Sequence, residues 1–261
     1  MRLRIFQVDA FTDRVFGGNP AAVCPLDSWL DDATMQAIAY ENNLSETAFF
    51  VPAKGAYALR WFTPLAEVDL CGHATLASAH VVFHHVLPDA DAVAFDTRSG
   101  RLDVVRGDDG LTMDFPALAA HPLDPPPADL AAGLGLEPIA AFGDMDYLAL
   151  LETEAQVRAI EPDMTALARL DERRGIIVTA PGESADFVSR FFSPRMGVPE
   201  DPVTGSAHCM LAPFWAERLG KTTLRAYQAS ARGGTVHCTV AGERVRLTGS
   251  AVQYFEGTIT V

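Results

Sequence analysis

The chain has no long apolar run and no cluster of basic residues, and these absences exclude several classes of protein. No stretch of about 18 apolar residues is present that could span a bilayer. The chain begins with a strand pattern at Met1–Phe11 and not with the apolar segment of a signal peptide, so we expect a cytoplasmic location. The formal net charge is −14 without any Lys/Arg cluster, so we expect neither nucleic acid nor an anionic membrane as a partner.

Cysteine is scarce and lacks the spacing of metal sites. The sequence has four cysteines without a CxxC pair, so we expect free thiols, with neither structural zinc nor a disulfide framework. His80 and His84 lie one helical turn apart, but without an HExxH motif or a third ligand they favour a helix end over a metal site.

The glycine-rich stretch Gly17–Pro20 lacks the spacing of a phosphate-binding loop. A plain hairpin turn and a ligand contact by Asn19 both remain open as interpretations.

The segment 60–86 is the one around which the sequence is organised. It predicts a short strand, a turn, and a helix that begins at Gly72. From Ala74 to Val82 only Thr75, Ser78 and His80 are polar, and a helix that is apolar on nearly all sides is buried. With 261 residues, of which 49% are hydrophobic, the chain can form one large core or two modest ones.

This segment is duplicated. RWFTP at Arg60 matches RFFSP at Arg190, and CGHAT matches TGSAH after a three-residue insertion. The stretches 100–115 and 233–247 also match at nearly the same spacing. Two copies half a chain apart predict two pseudo-symmetric lobes.

A proline-rich spacer divides the predicted lobes. We therefore predict an N-terminal lobe at 1–119, a linker at 120–127 and a C-terminal lobe at 128–251. Helices are predicted at 31–41, from 72 onward, at 128–134, 154–159 and 164–169, and up to 219. Strands are predicted at 2–11, 47–51, 93–95, 102–105, 111–115, 147–151, 175–179, 187–192, 235–240, 245–247 and 251–261. The absence of a regular βαβ rhythm favours α+β lobes with mixed sheets.

Glu46 lies where a predicted helix gives way to a strand, in NLSETAFF. Loops between rigid elements often carry chemistry, although a solvated turn glutamate is the simpler interpretation. Apolar neighbours such as Leu44 and Ala48 would raise the pKa of its carboxyl group.

Cys71 precedes the central helix, where a thiol is expected to have a lowered pKa and to act as a base or nucleophile. A small buried residue in the turn is an equally good interpretation. The matching position in the second copy is Thr204, whose hydroxyl cannot act as a base near neutral pH. A mechanism with two opposed thiols is therefore excluded.

The remaining polar residues suit an anionic substrate. Backbone N–H groups at Gly72 and Gly205, with the Ser206 hydroxyl, suit a carboxylate at a helix N-terminus. His73 and Asp201 suit an amine or a hydroxyl group. For Asp201, an N-cap or a turn residue before proline is the alternative.

Three motifs in order, NLSETAFF, FTP through CGHATLA, and EDPVTGSAH, resemble the phenazine biosynthesis PhzF-like family over essentially the whole chain. The resemblance implies the diaminopimelate epimerase-like fold, with two lobes that each wrap a mixed sheet around a central helix. It also implies an active site in the cleft between the lobes, a homodimer, and a last strand, about 252–261, that returns to the first lobe.

The resemblance further implies an isomerase that works without cofactor or metal. Glu46 matches the glutamate that moves a proton in the family's phenazine enzyme. The substrate-binding positions of the motifs are Gly72, His73, Asp201, Gly205 and Ser206. The phenazine enzyme carries alanine where this chain has Cys71, so family membership alone does not decide whether dihydro-hydroxyanthranilate is the substrate here.

Three hypotheses follow from these residues. The first is a cofactor-independent isomerase with Glu46 as acid and base, acting on a small carboxylic acid. The second is an amino-acid epimerase or racemase that uses Cys71 and Glu46. The third is a non-catalytic metabolite-binding module.

Overall fold

The computed structural model describes residues 1–170 and 173–261, which form two compact units of mixed α and β structure. One unit comprises Met1–Asp114 with Thr248–Val261, and the other comprises Phe115–Leu247. No helix in the described ranges is both long enough and apolar enough to cross a membrane.

The first unit contains most of the N-terminal half of the chain together with the last strand. Its helices are α1 (Asp32–Asn42) and α2 (Gly72–Val81), and α2 continues into a π-helical turn, Val82–Val86. Its strands, numbered in chain order, are β1 (Arg2–Ala10), β2 (Asn19–Pro25), β3 (Glu46–Ala53), β4 (Ala56–Phe62), β5 (Glu67–Val68), β6 (Ala92–Thr97), β7 (Gly100–Gly107), most of β8 (Gly110–Pro116), and β17 (Ala251–Thr260).

The second unit repeats this plan with more helices. They are α3 (Ala128–Leu134), α4 (Glu154–Ala159), α5 (Met164–Leu167) and α6 (Gly205–Leu219), with a short 3₁₀ turn at Pro194–Met196. The strands are β9 (His121–Pro122), β10 (Ala140–Gly143), β11 (Tyr147–Leu150), β12 (Ile176–Pro181), β13 (Phe187–Phe192), β14 (Thr223–Gln228), β15 (Gly234–Ala241) and β16 (Arg244–Gly249).

The strand pairings confirm the duplication. Through β1, β2, β3, β4, β6 and β7, successive pairs run antiparallel, parallel, antiparallel, parallel and antiparallel. The same alternation runs through β10, β11, β12, β13, β14 and β15. Within the first unit, β17 also pairs antiparallel with β1 along its whole length.

Each unit has one central helix, as the sequence predicts. Residues 73–81 of α2 are all buried, and α2 packs against β1, β2 and β3. In the second unit α6 packs against β14 and β15 and buries Trp215, whose indole N–H donates to Thr179 Oγ1. The two matched helix entrances of the sequence are therefore the first turns of α2 and α6.

Two bidentate ion pairs repeat with the fold. Arg60 on β4 holds both carboxylate oxygens of Glu67 at 2.6 and 2.7 Å. Arg190 on β13 holds both oxygens of Glu200 at 2.7 and 2.9 Å. Each pair ties a strand to the segment that leads into the central helix, because a planar guanidinium fits a carboxylate with two parallel hydrogen bonds.

Candidate active site

Glu46 is fixed at the junction between α1 and β3. Asp31 caps the start of α1 by accepting from Thr34 N, and Asn43 ends the helix in the left-handed conformation with φ 50°. The chain then enters β3 at Glu46, which pairs with Ala21 on the parallel strand β2. The carboxylate therefore begins a strand whose following residues, 47–51, are buried.

His73 and Cys71 are placed by the start of α2. Cys71 is the N-cap residue, but its side chain makes no capping hydrogen bond. Its carbonyl oxygen accepts from Thr75 N at 3.1 Å and from Thr75 Oγ1 at 2.6 Å. The first-turn N–H groups of α2 thus lack a side-chain cap at Cys71, which is the arrangement that favours an anion.

Three side chains meet around the His73 ring. Glu46 Oε2 lies 3.1 Å from His73 Nε2, without a hydrogen bond between the two atoms. On the other edge of the ring, Asn19 Nδ2 is 3.1 Å from Nδ1, and Cys71 Sγ is 3.5 Å from the same nitrogen. Glu46 Oε2 is buried and makes no hydrogen bond to any described residue.

The partners of Nδ1 define the protonation of the neutral ring. The Asn19 amide nitrogen can only donate, and a protonated Cys71 thiol can donate as well, so Nδ1 accepts. The proton of the neutral imidazole is then on Nε2, the ring nitrogen nearer the Glu46 carboxylate. If the ring takes up a second proton, Asn19 must turn its amide oxygen toward Nδ1.

The prediction that Cys71 has a lowered pKa is wrong. Burial raises the pKa of the Cys71 thiol to about 11, and the nearby Glu46 carboxylate adds to the shift. The helix terminus and the His73 ring act in the opposite direction but are weaker than desolvation. At neutral pH Cys71 is therefore a neutral thiol.

Burial lowers the pKa of the His73 imidazolium, whereas Cys71 and Glu46 raise it, and the net direction is upward. Because Cys71 is a neutral thiol at pH 7, the charge that acts on the ring at that pH is the Glu46 carboxylate. Glu46 and His73 therefore form a coupled carboxylate–imidazole pair in one unit.

The second helix entrance is built around Thr204 and Gln228. Thr204 is the N-cap of α6, so Asp201 is a turn residue that accepts a 2.6 Å hydrogen bond from Thr204 Oγ1. The fully buried Gln228 accepts from Thr204 N at 2.9 Å and donates to the Asp201 carbonyl at 2.7 Å. Gly205 and Ser206 are the first two residues of α6.

Sequence reasoning missed Gln228 and left Asn19 open. Gln228 occupies a position where the alternation of the strand requires a buried residue. A buried amide needs hydrogen-bond partners, and this requirement could have indicated its role in the sequence. Asn19, which is fully buried, begins β2 and contacts His73.

The second unit has no carboxylate at the position equivalent to Glu46. On β3, Thr47 pairs with Phe62, and on β12, Ile176 pairs with the equivalent Phe192. Thr47 and Ile176 are therefore equivalent, and so are the residues that precede them, Glu46 and Gly175. A Cβ atom at Gly175 would overlap the ring of Phe191, so this position cannot hold a larger side chain without rearrangement.

The histidines near the end of α2 are not part of this site. His80 and His84 stack with ring centroids 4.0 Å apart, and His84 Nδ1 donates to the His80 carbonyl. His85 Nε2 bonds Gln253 Oε1 at 2.6 Å. Among the described residues, the three donor groups close enough to share a metal ion are Glu46, Cys71 and His73, within 4.8 Å of one another.

Comparison with known proteins makes the chain an isomerase of the PhzF-like type. A family model for phenazine biosynthesis-like proteins, PhzC-PhzF, matches residues 8–257, and the chain belongs to this family. An uncharacterized isomerase of Pseudomonas aeruginosa is 54% identical over 259 residues, which cover 99% of each chain.

Solved structures agree with this assignment. A PhzF family protein of Enterococcus faecalis has a TM-score of 0.97 and 46% identity, with 100% of both chains covered. A hydroxyproline epimerase of Agrobacterium vitis has a TM-score of 0.67 at 11% identity over 99% of this chain and 92% of its own. The latter likeness concerns the fold alone, and it places the chain among epimerase-like folds as the sequence predicts.

Proposed function

We propose that the protein is a cofactor-independent isomerase that moves a proton between carbons of a small carboxylic acid. Glu46 is the acid and base of this proposal. The observation that carries it is the buried Oε2 of Glu46, which makes no hydrogen bond to a described residue and lies 3.1 Å from His73 Nε2.

A single carboxylate suits such a reaction because it can accept a proton from one carbon and return it to another. Nε2 of His73 lies 3.1 Å from the Glu46 carboxylate, and the net shift of the His73 pKa is upward. Uncapped N–H groups at the start of α2 are available for a carboxylate or for charge on a delocalised intermediate. Substrate-binding roles for Gly72, His73, Asp201, Gly205 and Ser206 belong to this proposal on the strength of the sequence motifs.

The rival epimerase mechanism needs a second base, and the described residues give it little support. With a pKa of about 11, Cys71 is a poor base at neutral pH. The equivalents of Cys71 and Glu46 in the second unit are Thr204 and Gly175, which offer no base either. The homodimer that the family resemblance implies also belongs to this proposal.

The test is an NMR screen of small carboxylates, including dihydro-hydroxyanthranilate and common amino acids, with wild type, Glu46→Gln and Cys71→Ser. The proposal expects isomerisation of a panel member by wild type and Cys71→Ser, and none by Glu46→Gln. Inversion at an α-carbon that Cys71→Ser abolishes would favour the epimerase. Tight binding with no proton exchange in any variant would favour the binding module.

A further inference from the structure

The thiol of Cys71 and one nitrogen of His73 have the separation of two ligands on one metal ion. Sγ and Nδ1 lie 3.5 Å apart, on the same edge of the ring. In a tetrahedral zinc site, with Zn–S of about 2.3 Å and Zn–N of about 2.0–2.1 Å, sulfur and nitrogen are about 3.5 Å apart. A cation between them would replace the thiol proton without a large movement of either side chain.

The other ring nitrogen already has the partner that metal-bound histidines usually have. Glu46 Oε2 lies 3.1 Å from His73 Nε2. A carboxylate at this distance can accept from Nε2–H after a small rotation of the ring or the carboxylate, and that hydrogen bond would leave the Nδ1 lone pair for a cation. Both atoms of this contact are buried and have no hydrogen bond to a described residue.

Asn19 supplies a third ligand on the same edge. Its Nδ2 is 3.1 Å from Nδ1, and a turn of the amide would place Oδ1 near that position. Sulfur, imidazole nitrogen and an amide oxygen, with one position left for water, form a ligand set that accepts zinc and its softer relatives.

We propose that Cys71 and His73, with Asn19 beside them, form a binding site for a thiophilic divalent cation such as Zn²⁺, and that Glu46 orients the His73 ring. On binding, the S–H bond of Cys71 breaks, and an Nδ1–H bond of a protonated His73 ring breaks as well. The released protons pass to solvent, and sulfur–metal and nitrogen–metal bonds form in their place. The cation lies on the opposite side of the ring from Glu46.

Cobalt is the spectroscopic probe of this site and zinc the calorimetric one. Wild type is expected to bind one equivalent of Co²⁺ with a thiolate-to-cobalt charge-transfer band, and Zn²⁺ should displace it. Cys71→Ala should lose the band and bind Zn²⁺ at least about 100-fold more weakly. The matched control Cys24→Ala, which removes another buried thiol, should behave as wild type. Glu46→Gln should keep the band and weaken binding about 10–100-fold.

A charge-transfer band that persists in Cys71→Ala, an equal loss in Cys24→Ala, or no cobalt binding by wild type would overturn the proposal. His73→Gln is a second variant that must also lose tight binding, and thermal melts of each variant without metal establish that it is folded. None of these readouts uses a substrate. The metal site and the proposed isomerisation can therefore fail independently.

Discussion

The carboxylate oxygen Oε2 of Glu46 lies 3.1 Å from Nε2 of His73, although the two residues come from different elements, β3 and α2. The opposite nitrogen of the ring contacts Asn19 and Cys71. Glu46 is thus the carboxylate of a cluster that lies wholly within one unit, and its equivalent in the other unit is Gly175. This asymmetry within a duplicated fold favours one acid/base centre over two.

Arg190 should contribute more to stability than an exposed arginine. It is mostly buried, holds Glu200 by two hydrogen bonds, and donates to the Ile160 carbonyl at 2.7 Å. Arg190→Ala leaves a partly buried carboxylate without its partner, so we expect a loss of about 2 kcal/mol or more in unfolding free energy. Arg4→Ala breaks the exposed pair with Glu256 and should cost less than about 1 kcal/mol in the same urea titrations. If Arg190→Ala and Arg4→Ala lose the same unfolding free energy, the Arg190–Glu200 pair stabilises the fold no more than an exposed pair does.

Gly175 should not tolerate a side chain. A Cβ atom there would overlap the Phe191 ring, so Gly175→Ala is expected to lower the unfolding free energy by about 1–3 kcal/mol through overpacking. The double variant Gly175→Ala with Phe191→Leu should lose less unfolding free energy than the two single variants added together. If the two single losses simply add in the double variant, a contact other than Phe191 causes the destabilisation by Gly175→Ala.

Acid should destabilise the fold through His208. Burial lowers the pKa of His208 from 6.5 to about 4. Its neutral form therefore contributes stability that is complete above pH 6.5 and is lost as the pH falls toward 4, by about 1.4 kcal/mol per pH unit. His80, with a pKa also lowered by burial to about 4, adds a similar slope.

Urea unfolding between pH 4 and 8 measures this slope. His208→Asn keeps a donor for the Thr204 carbonyl and should reduce the slope, whereas the exposed His121→Asn should leave it unchanged. An unchanged slope in His208→Asn would refute this assignment.

The four thiols should react slowly in the native protein. Burial raises the pKa of Cys71 to about 11, of Cys24 and Cys209 to about 12, and of Cys238 further still. Because the thiolate is the reacting species, a disulfide reagent at pH 8 should modify native Cys71 at least about 100-fold more slowly than the unfolded chain. All four thiols should react in urea. Rapid reaction of Cys71 alone in the native protein would contradict this prediction and would support the epimerase mechanism.

Much of the fold could be predicted from local pattern. The helix 154–159 and the strand 187–192 have the observed bounds, and the matched motifs identified both central helices. The strand β10 was missed because its four residues, AAFG, carry too little pattern and depend on pairing with β9 and β11. The strand β14 was missed because Gln228 places an amide where the alternation of TLRAYQ requires an apolar residue.

The site could be predicted only in part. Motif order identified Glu46 and His73, which the structure brings into contact, while their roles remain predictions. The expectation for Cys71 failed because burial raises the pKa of the thiol by more than the helix N-terminus and His73 lower it. Desolvation of the Cys71 thiol depends on residues that are distant in sequence and pack around the whole cluster. It cannot therefore be predicted from the sequence near Cys71.

Deuterium exchange in D₂O tests the central claim most directly, because it detects proton abstraction from carbon even when no product accumulates. Wild type and the control Glu41→Gln, an exposed glutamate near the end of α1, would be compared with Glu46→Gln on the same carboxylate panel. The account predicts exchange into at least one carboxylate by the first two proteins, and a rate about 10²–10⁴-fold lower in Glu46→Gln. Exchange at the wild-type rate in Glu46→Gln would contradict it.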